Sequence, residues 1–319
     1  MNFQTFIEEV KKQVKDIIGA DYTVSVNCVM KINRELQGIS ILQKGTSISP
    51  SVYLEDYYND YQSGKSIKEI ATEIVLVSKQ RKQSVVSIAA NLQDYQWVKS
   101  RLRVKLINYD RNVKLLRTMP HERMLDLAVI PYVVLMSDDE IATTRVTYTL
   151  LSAWGIDQDT ILKVAKENTL MMSPVVIEEM TDFILHMMLQ ELNIMESDGE
   201  DDSETMLKAL LKKNTTGKEM YILTNEKKID GVYAAFQTKE LASLADGIGA
   251  GRLYILPSSI HEVIAIPSSG IEPAKLRDMV KSINCTQVPE EDFLSDTIYE
   301  YDRLSNQIMI VPQYSQIPV

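Results

Sequence analysis

A serine, a histidine and a carboxylate stand within four residues at Ser259, His261 and Glu262, with Ser258 just before them. These are the nucleophile, base and orienting acid of acyl-transfer catalysis, provided that they converge in space. On an extended chain successive side chains point to opposite faces, so Ser259 and His261 share a face and Glu262 looks away. The Gly-x-Ser-x-Gly elbow of α/β-hydrolases is absent from the sequence. The plainer reading makes Pro257-Ser258-Ser259 a turn and His261-Glu262 the start of a returning strand.

Two further groups could hold an anion. His121, Glu122 and Arg123 follow Pro120, with Asp126 nearby. A hydrogen-bonded His–Glu–Arg group can bind a carboxylate or phosphate, and it can equally pair and cap its own chain. Lys99, Arg101, Arg103 and Lys105 alternate with Leu102, Val104 and Leu106, which predicts a strand with one basic and one apolar face. Such a face suits phosphates, and lysine and arginine also guard an edge strand against aggregation.

Other patterns carry less. Asp56 and Asp60 share a helix face, yet they flank a Tyr/Leu stripe as solvated charges would. The glycines at 247, 249 and 251 close a helix over 238–245, whereas a phosphate loop opens one. Residues 147–168 have a helix-turn-helix outline, but Asp157, Asp159 and Glu167 against Lys163 and Lys166 make a poor DNA surface. Three scattered histidines, at 121, 186 and 261, and two distant cysteines, at 28 and 285, predict no metal site, disulfide or cofactor.

The elements that must position these groups read as α+β. Phe3, Phe6, Ile7, Val10, Val14, Ile17 and Ile18 give an amphipathic first helix that Gly19 stops. Strict alternation predicts a hairpin over 22–42. Ser49-Pro50 marks a helix start and Ser66 with Glu69 a capping box, giving helices over 50–79. Strands follow near 100–108 and 125–136, then a helical segment over 146–195 that includes a methionine-rich helix from Val175. The run 196–205 is acidic with Gly and Ser, and reads as a linker or loop. Residues 220–267 read as hairpin, helix, hairpin. The expectation is two lobes, 1–195 and 206–319, each of mixed or antiparallel hairpin sheet packed with helices.

A net charge of −10 and a pI of about 5.0 argue against a general nucleic-acid or anionic-membrane binder. The first twenty residues mix charges into every turn, and the longest apolar run, Leu127 to Met136, falls short of the roughly 20 residues a membrane helix needs. A cytoplasmic location is expected.

Several stretches together resemble a family of bacterial proteins, of the gut clostridia type, known only as a domain of unknown function. They are SPSVYLEDYY (Ser49 to Tyr58), LINYDRNVKLL with LDLA (Leu106 to Leu116, Leu125 to Ala128), WGIDQDTILKVAKENT (Trp154 to Thr169), LYILPSSIHEVIAIP (Leu253 to Pro267) and LSDTIYEYDR (Leu294 to Arg303). The resemblance runs over nearly the whole chain. It implies a stand-alone bacterial cytoplasmic protein and brings no activity or catalytic residue with it.

The leading functional expectation is a non-enzymatic binding or adaptor protein acting through protein partners. No complete catalytic group survives strand geometry, while strand edges and methionine-rich helices suit adaptable interfaces. The alternative is a hydrolase or small-ligand enzyme centred on Ser259 and His261. A third reading is nucleic-acid or anion contact through 99–105.

Overall fold

The first helix of the computed structural model, α1 (Phe3–Ile18), begins where Asn2 accepts the Thr5 N–H and ends at Gly19 in the left-handed region. The structure describes residues 1–46, 49–136, 141–184, 219–257 and 259–312, with backbone alone at 81–90, 136 and 141. Helix α1 lays Phe6, Ile7, Val10 and Val14 on an antiparallel sheet of β1 (Tyr22–Met30), β2 (Glu35–Gln43) and β3 (Ser51–Tyr53). Pairing runs from Tyr22 opposite Gln43 to Met30 opposite Glu35, as the alternation requires.

Ser49-Pro50 does not start a helix. The Ser49 hydroxyl donates to the Ile41 carbonyl and accepts the Ile41 N–H, which commits it to the sheet. Val52 then pairs with Ile39, and α2 (Glu55–Gln62) starts only after that strand. Next, α3 (Ile67–Asn91) runs on past the expected helix end at residue 79. Phe6, Val10, Ile39, Leu54, Ile70 and Ile74 close this first core.

The expected capping box opens α3. Ser66 donates its N–H and hydroxyl to Glu69, and the Glu69 N–H returns to the Ser66 oxygen. Those hydrogen bonds hold the Glu69 carboxyl below its ordinary value. A depressed carboxyl stabilises the fold above the ordinary carboxylate range and stops doing so as pH falls through its folded value. Glu69→Gln should therefore flatten the acid limb of stability against pH, read as urea midpoints across that range, by lowering the neutral-pH midpoint slightly and leaving the midpoint below the carboxylate range little changed.

The second sheet is built on β4 (Leu102–Asn108), β5 (Glu122–Met124), β6 (Leu127–Met136) and β7 (Ile141–Arg145), with β4 on one side of β6 and β5 and β7 on the other. Lys99 belongs to a short helix, α4 (Tyr95–Lys99), so the basic run is helix first and strand second. A 3-10 turn (Asp110–Asn112) and α5 (Val113–Leu116) follow β4. Helices α6 (Tyr148–Trp154) and α7 (Gln158–Met172) are joined through left-handed Gly155. Helix α7 covers the free side of β4, where the Val104 N–H donates to Thr169 Oγ1 at 2.8 Å.

A six-stranded antiparallel sheet takes β8 (Val175–Glu179), β9 (Tyr221–Asn225), β10 (Arg252–Leu256), β11 (Val263–Pro267), β12 (Tyr299–Asp302) and β13 (Gln307–Ile310) in the order β13-β12-β10-β11-β9-β8. Val175 thus starts a strand and not the methionine-rich helix expected there; β-branched Val175, Val176 and Ile177 pair with β9. Residues 185–218, which include His186 and the acidic run at 196–205, lie outside the described residues, as does Ser258. Helices α8 (Val232–Ala235), α9 (Thr238–Gly247) and α10 (Pro273–Thr286) and a 3-10 turn (Glu290–Asp292) fall between this sheet's strands in sequence. A strand is expected where α8 stands. All four of its residues are buried, so no polar side breaks the apolar run into a period.

The largest core joins the second and third sheets. Leu102, Leu106 and Val129 meet Leu223, Ile255 and Tyr299 there, with Ile161 of α7 and Phe236 packed among them. The fold is α+β, with three antiparallel sheets of three, four and six strands among the described residues. No helix among them is long and apolar enough to cross a membrane.

Candidate functional site

A cleft of about 590 Å³ opens where the three sheets meet. That is within the range of small-molecule sites, which favour junctions between layers. The first sheet contributes Lys31, Arg34 and Tyr53, the second Lys105, Tyr132 and Arg145, and the loops of the third Asp230, His261 and Asp292.

Register builds the second-sheet wall. Arg103 stands opposite Tyr132, and Tyr132 opposite Arg145, so the three form one row across β4, β6 and β7. Leu102, Val104 and Leu106 point the other way, into the core. Lys105 shares the face of Arg103. Its ammonium lies 2.7 Å from Asp230 Oδ2 and 4.5 Å from the centre of the Tyr132 ring. The pair is largely enclosed, with 12% and 7% of the two side chains exposed. Burial pushes the Tyr132 hydroxyl far up, and the Asp230 carboxylate facing it adds to the shift.

The cations on this wall differ in what they meet. Arg103 donates to the carbonyls of Ser100 and Leu102, and burial draws its guanidinium below the ordinary value. Arg145, half-buried, donates one N–H to the Met30 carbonyl at 2.8 Å. Burial draws it down too, with Tyr53 opposing. No described carboxylate lies within 4.0 Å of Arg145 or of Lys31, whose ammonium sits 4.7 Å above the Tyr53 ring. Arg34 pairs with Glu291 at 3.2 Å. The turn carrying Lys31 and Arg34 is pinned by Asn33. Its N–H donates to Asn112 Oδ1, and its side-chain amide donates to the carbonyls of Glu290 and Phe293.

On the third-sheet wall the chain turns at 259–262 and is not extended. Ser259 and Glu262 are thereby brought together: the Ser259 hydroxyl donates to Glu262 Oε1 at 2.6 Å and accepts the N–H of His261. His261 faces elsewhere. Its Nδ1 accepts the Asp230 N–H at 3.1 Å, and its Nε2 lies 3.2 Å from Asp292 Oδ1. With Nδ1 an acceptor, the imidazole is a neutral donor through Nε2. Ser259 is buried and has no histidine base; His261 is a link between the Asp230 loop and Asp292.

The remaining groups singled out in the sequence lie away from this cleft. Arg101 stacks on Trp97 at 4.1 Å, and the Lys99 carbonyl accepts from Asn168. His121 Nδ1 is 3.1 Å from the Met119 carbonyl, Glu122 pairs with Lys166, and Arg123 covers the Tyr109 ring at 4.4 Å. No group of three or more His, Cys, Asp or Glu among the described residues could hold a metal ion. Of the sequence candidates, Arg103 shares the strand face of Lys105 opposite Tyr132 without lining the cleft, and Lys105 and His261 line it. Tyr132, Arg145, Asp230 and Asp292 join them, and no motif flags any of these four.

A protein-family model described as a family of unknown function, DUF5688, matches residues 3–303. No curated protein and no solved structure matches the chain.

Proposed function

The chain belongs to DUF5688, a family of unknown function, and from its own cleft we propose that it is a binding protein for a small anionic ligand, a carboxylate or a phosphate monoester. Arg145 carries this reading. A half-buried guanidinium without a carboxylate is costly, because protein interiors neutralise the charges they enclose. A ligand carboxylate or phosphate would meet that fork with paired, charge-assisted hydrogen bonds. Lys31 lines the same cleft from the first sheet, with its charge also unmatched by a described carboxylate.

Binding is favoured over hydrolysis by what Ser259 and His261 already do. The hydroxyl is committed to Glu262 and both imidazole nitrogens are occupied, so neither is poised to attack or to take a proton. The cleft volume suits a metabolite-sized ligand.

The test is titration calorimetry with acetate, succinate and inorganic phosphate on the wild type, Arg145→Lys and Arg145→Met. At least one anion should bind the wild type. Arg145→Met should weaken it by about 10- to 100-fold, the worth of a hydrogen bond to a charged group. Arg145→Lys should fall between, since it keeps the charge and loses the fork. Anion affinity unchanged in Arg145→Met, or no binding to the wild type, would overturn the proposal.

A further inference from the structure

Besides Arg145 and Lys31, the cleft holds an unmatched charge of opposite sign. Asp292 closes the 3-10 turn at 290–292 with 28% of its side chain exposed, and no described lysine or arginine lies within 4.0 Å of it. The neighbour it does have is His261, and that ring is neutral by geometry: the Asp230 N–H occupies Nδ1, so Nε2 carries the proton offered to Asp292. A neutral donor solvates the carboxylate without balancing its charge.

Two of the cleft's cations are matched by carboxylates. Lys105 meets Asp230 and Arg34 meets Glu291. What remains are two cations, Arg145 on the second-sheet wall and Lys31 over the Tyr53 ring, and a carboxylate, Asp292, on the third-sheet wall. Ile130, Tyr132 and Ile260 line the same cleft.

We infer that the ligand is a small zwitterion, with a carboxylate held by Arg145, an ammonium held by Asp292 and an aliphatic or aromatic body between them. This rests on the anion-binding reading of Arg145 and adds the second charge. A purely anionic ligand reaching across the cleft would meet Asp292 as a like charge, whereas a zwitterion satisfies both walls. Complementarity of this kind sets which ligand is selected more than how tightly any one is held.

The experiment matches each amino acid with its deaminated counterpart. Glycine, 4-aminobutanoate and 6-aminohexanoate are titrated against acetate, butanoate and hexanoate, on the wild type, Asp292→Asn and Arg145→Met. For at least one chain length the amino compound should bind the wild type about tenfold tighter than its counterpart, and that length reports the spacing of the two walls. Asp292→Asn should erase the difference and leave carboxylate affinity within about threefold. Arg145→Met should weaken both members of the pair. If the simple carboxylates bind as tightly as the amino compounds at every length while Arg145→Met weakens them all, the zwitterion falls and anion binding stands. If Arg145→Met changes nothing, both fall. The wild-type comparison decides the point even if Asp292→Asn does not fold.

Discussion

Lys105→Met should lower the stability of the protein by about 3–5 kcal/mol, seen as a lower urea midpoint with an unchanged slope. Methionine keeps most of the lysine stem and its packing, so the loss is electrostatic. The ammonium is 2.7 Å from Asp230 Oδ2 with both side chains largely enclosed. Taking it away leaves a carboxylate in a site where water replaces it poorly, facing the buried Tyr132 hydroxyl. Asp230 has no easy retreat. Its backbone is held at φ 53, its N–H is bonded to His261, and Gly231 beside it is bonded to the His261 carbonyl. The double substitution Lys105→Met with Asp230→Asn should be milder than Lys105→Met alone, since removing both charges avoids the uncompensated one. The coupling in that cycle should reach about 2 kcal/mol. A cost below about 1 kcal/mol for Lys105→Met would mean that water screens the pair as it does at a surface.

This pair also shows how far the sequence can be read. Alternation placed Arg103 and Lys105 on one face of a strand, because a half-buried strand writes its two faces into the chain. The same rule failed for Lys99 and Arg101. Asp94 caps a helical turn there by accepting the Gln96 N–H, and Arg101 folds back onto Trp97. Arg145, Tyr132 and Asp230 carried no local signal, since register and a loop from another sheet bring them together. The nearness of Ser259, His261 and Glu262 in sequence misled for the converse reason: a turn pairs the serine with the glutamate and sends the imidazole to Asp230 and Asp292, 31 residues to either side. Buried segments were the other blind spot. Val232–Ala235 is enclosed on all sides, so helix and strand look alike there, whereas half-buried Val175–Ile177 carries a β-branched strand signal beside the methionines that suggest a helix.

Gly231→Ala should cost about 3 kcal/mol and should weaken ligand binding as well. The reason is space and not backbone freedom, since Gly231 has an ordinary φ of −76°. A Cβ on Gly231 would lie 2.6 Å from the His261 carbonyl oxygen, 2.8 Å from Thr224 Oγ1 and 2.9 Å from the Asn225 nitrogen. Two of these are backbone atoms, which do not step aside as a side-chain end can. The carbonyl is also the acceptor for both the Gly231 N–H and the Thr224 hydroxyl. Relief of the clash must stretch that pair of hydrogen bonds and push the loop away from His261. Such a shift moves Asp230 from Lys105 and the imidazole from Asp292, so fold and cleft are damaged together. Gly247→Ala is the control. Nothing lies within 4 Å of its Cβ position at the end of α9, and it should be neutral or stabilising by up to about 1 kcal/mol. If Gly231→Ala unfolded at the wild-type urea midpoint, the close approach of the Asp230 loop to His261 would not be what holds this corner of the cleft.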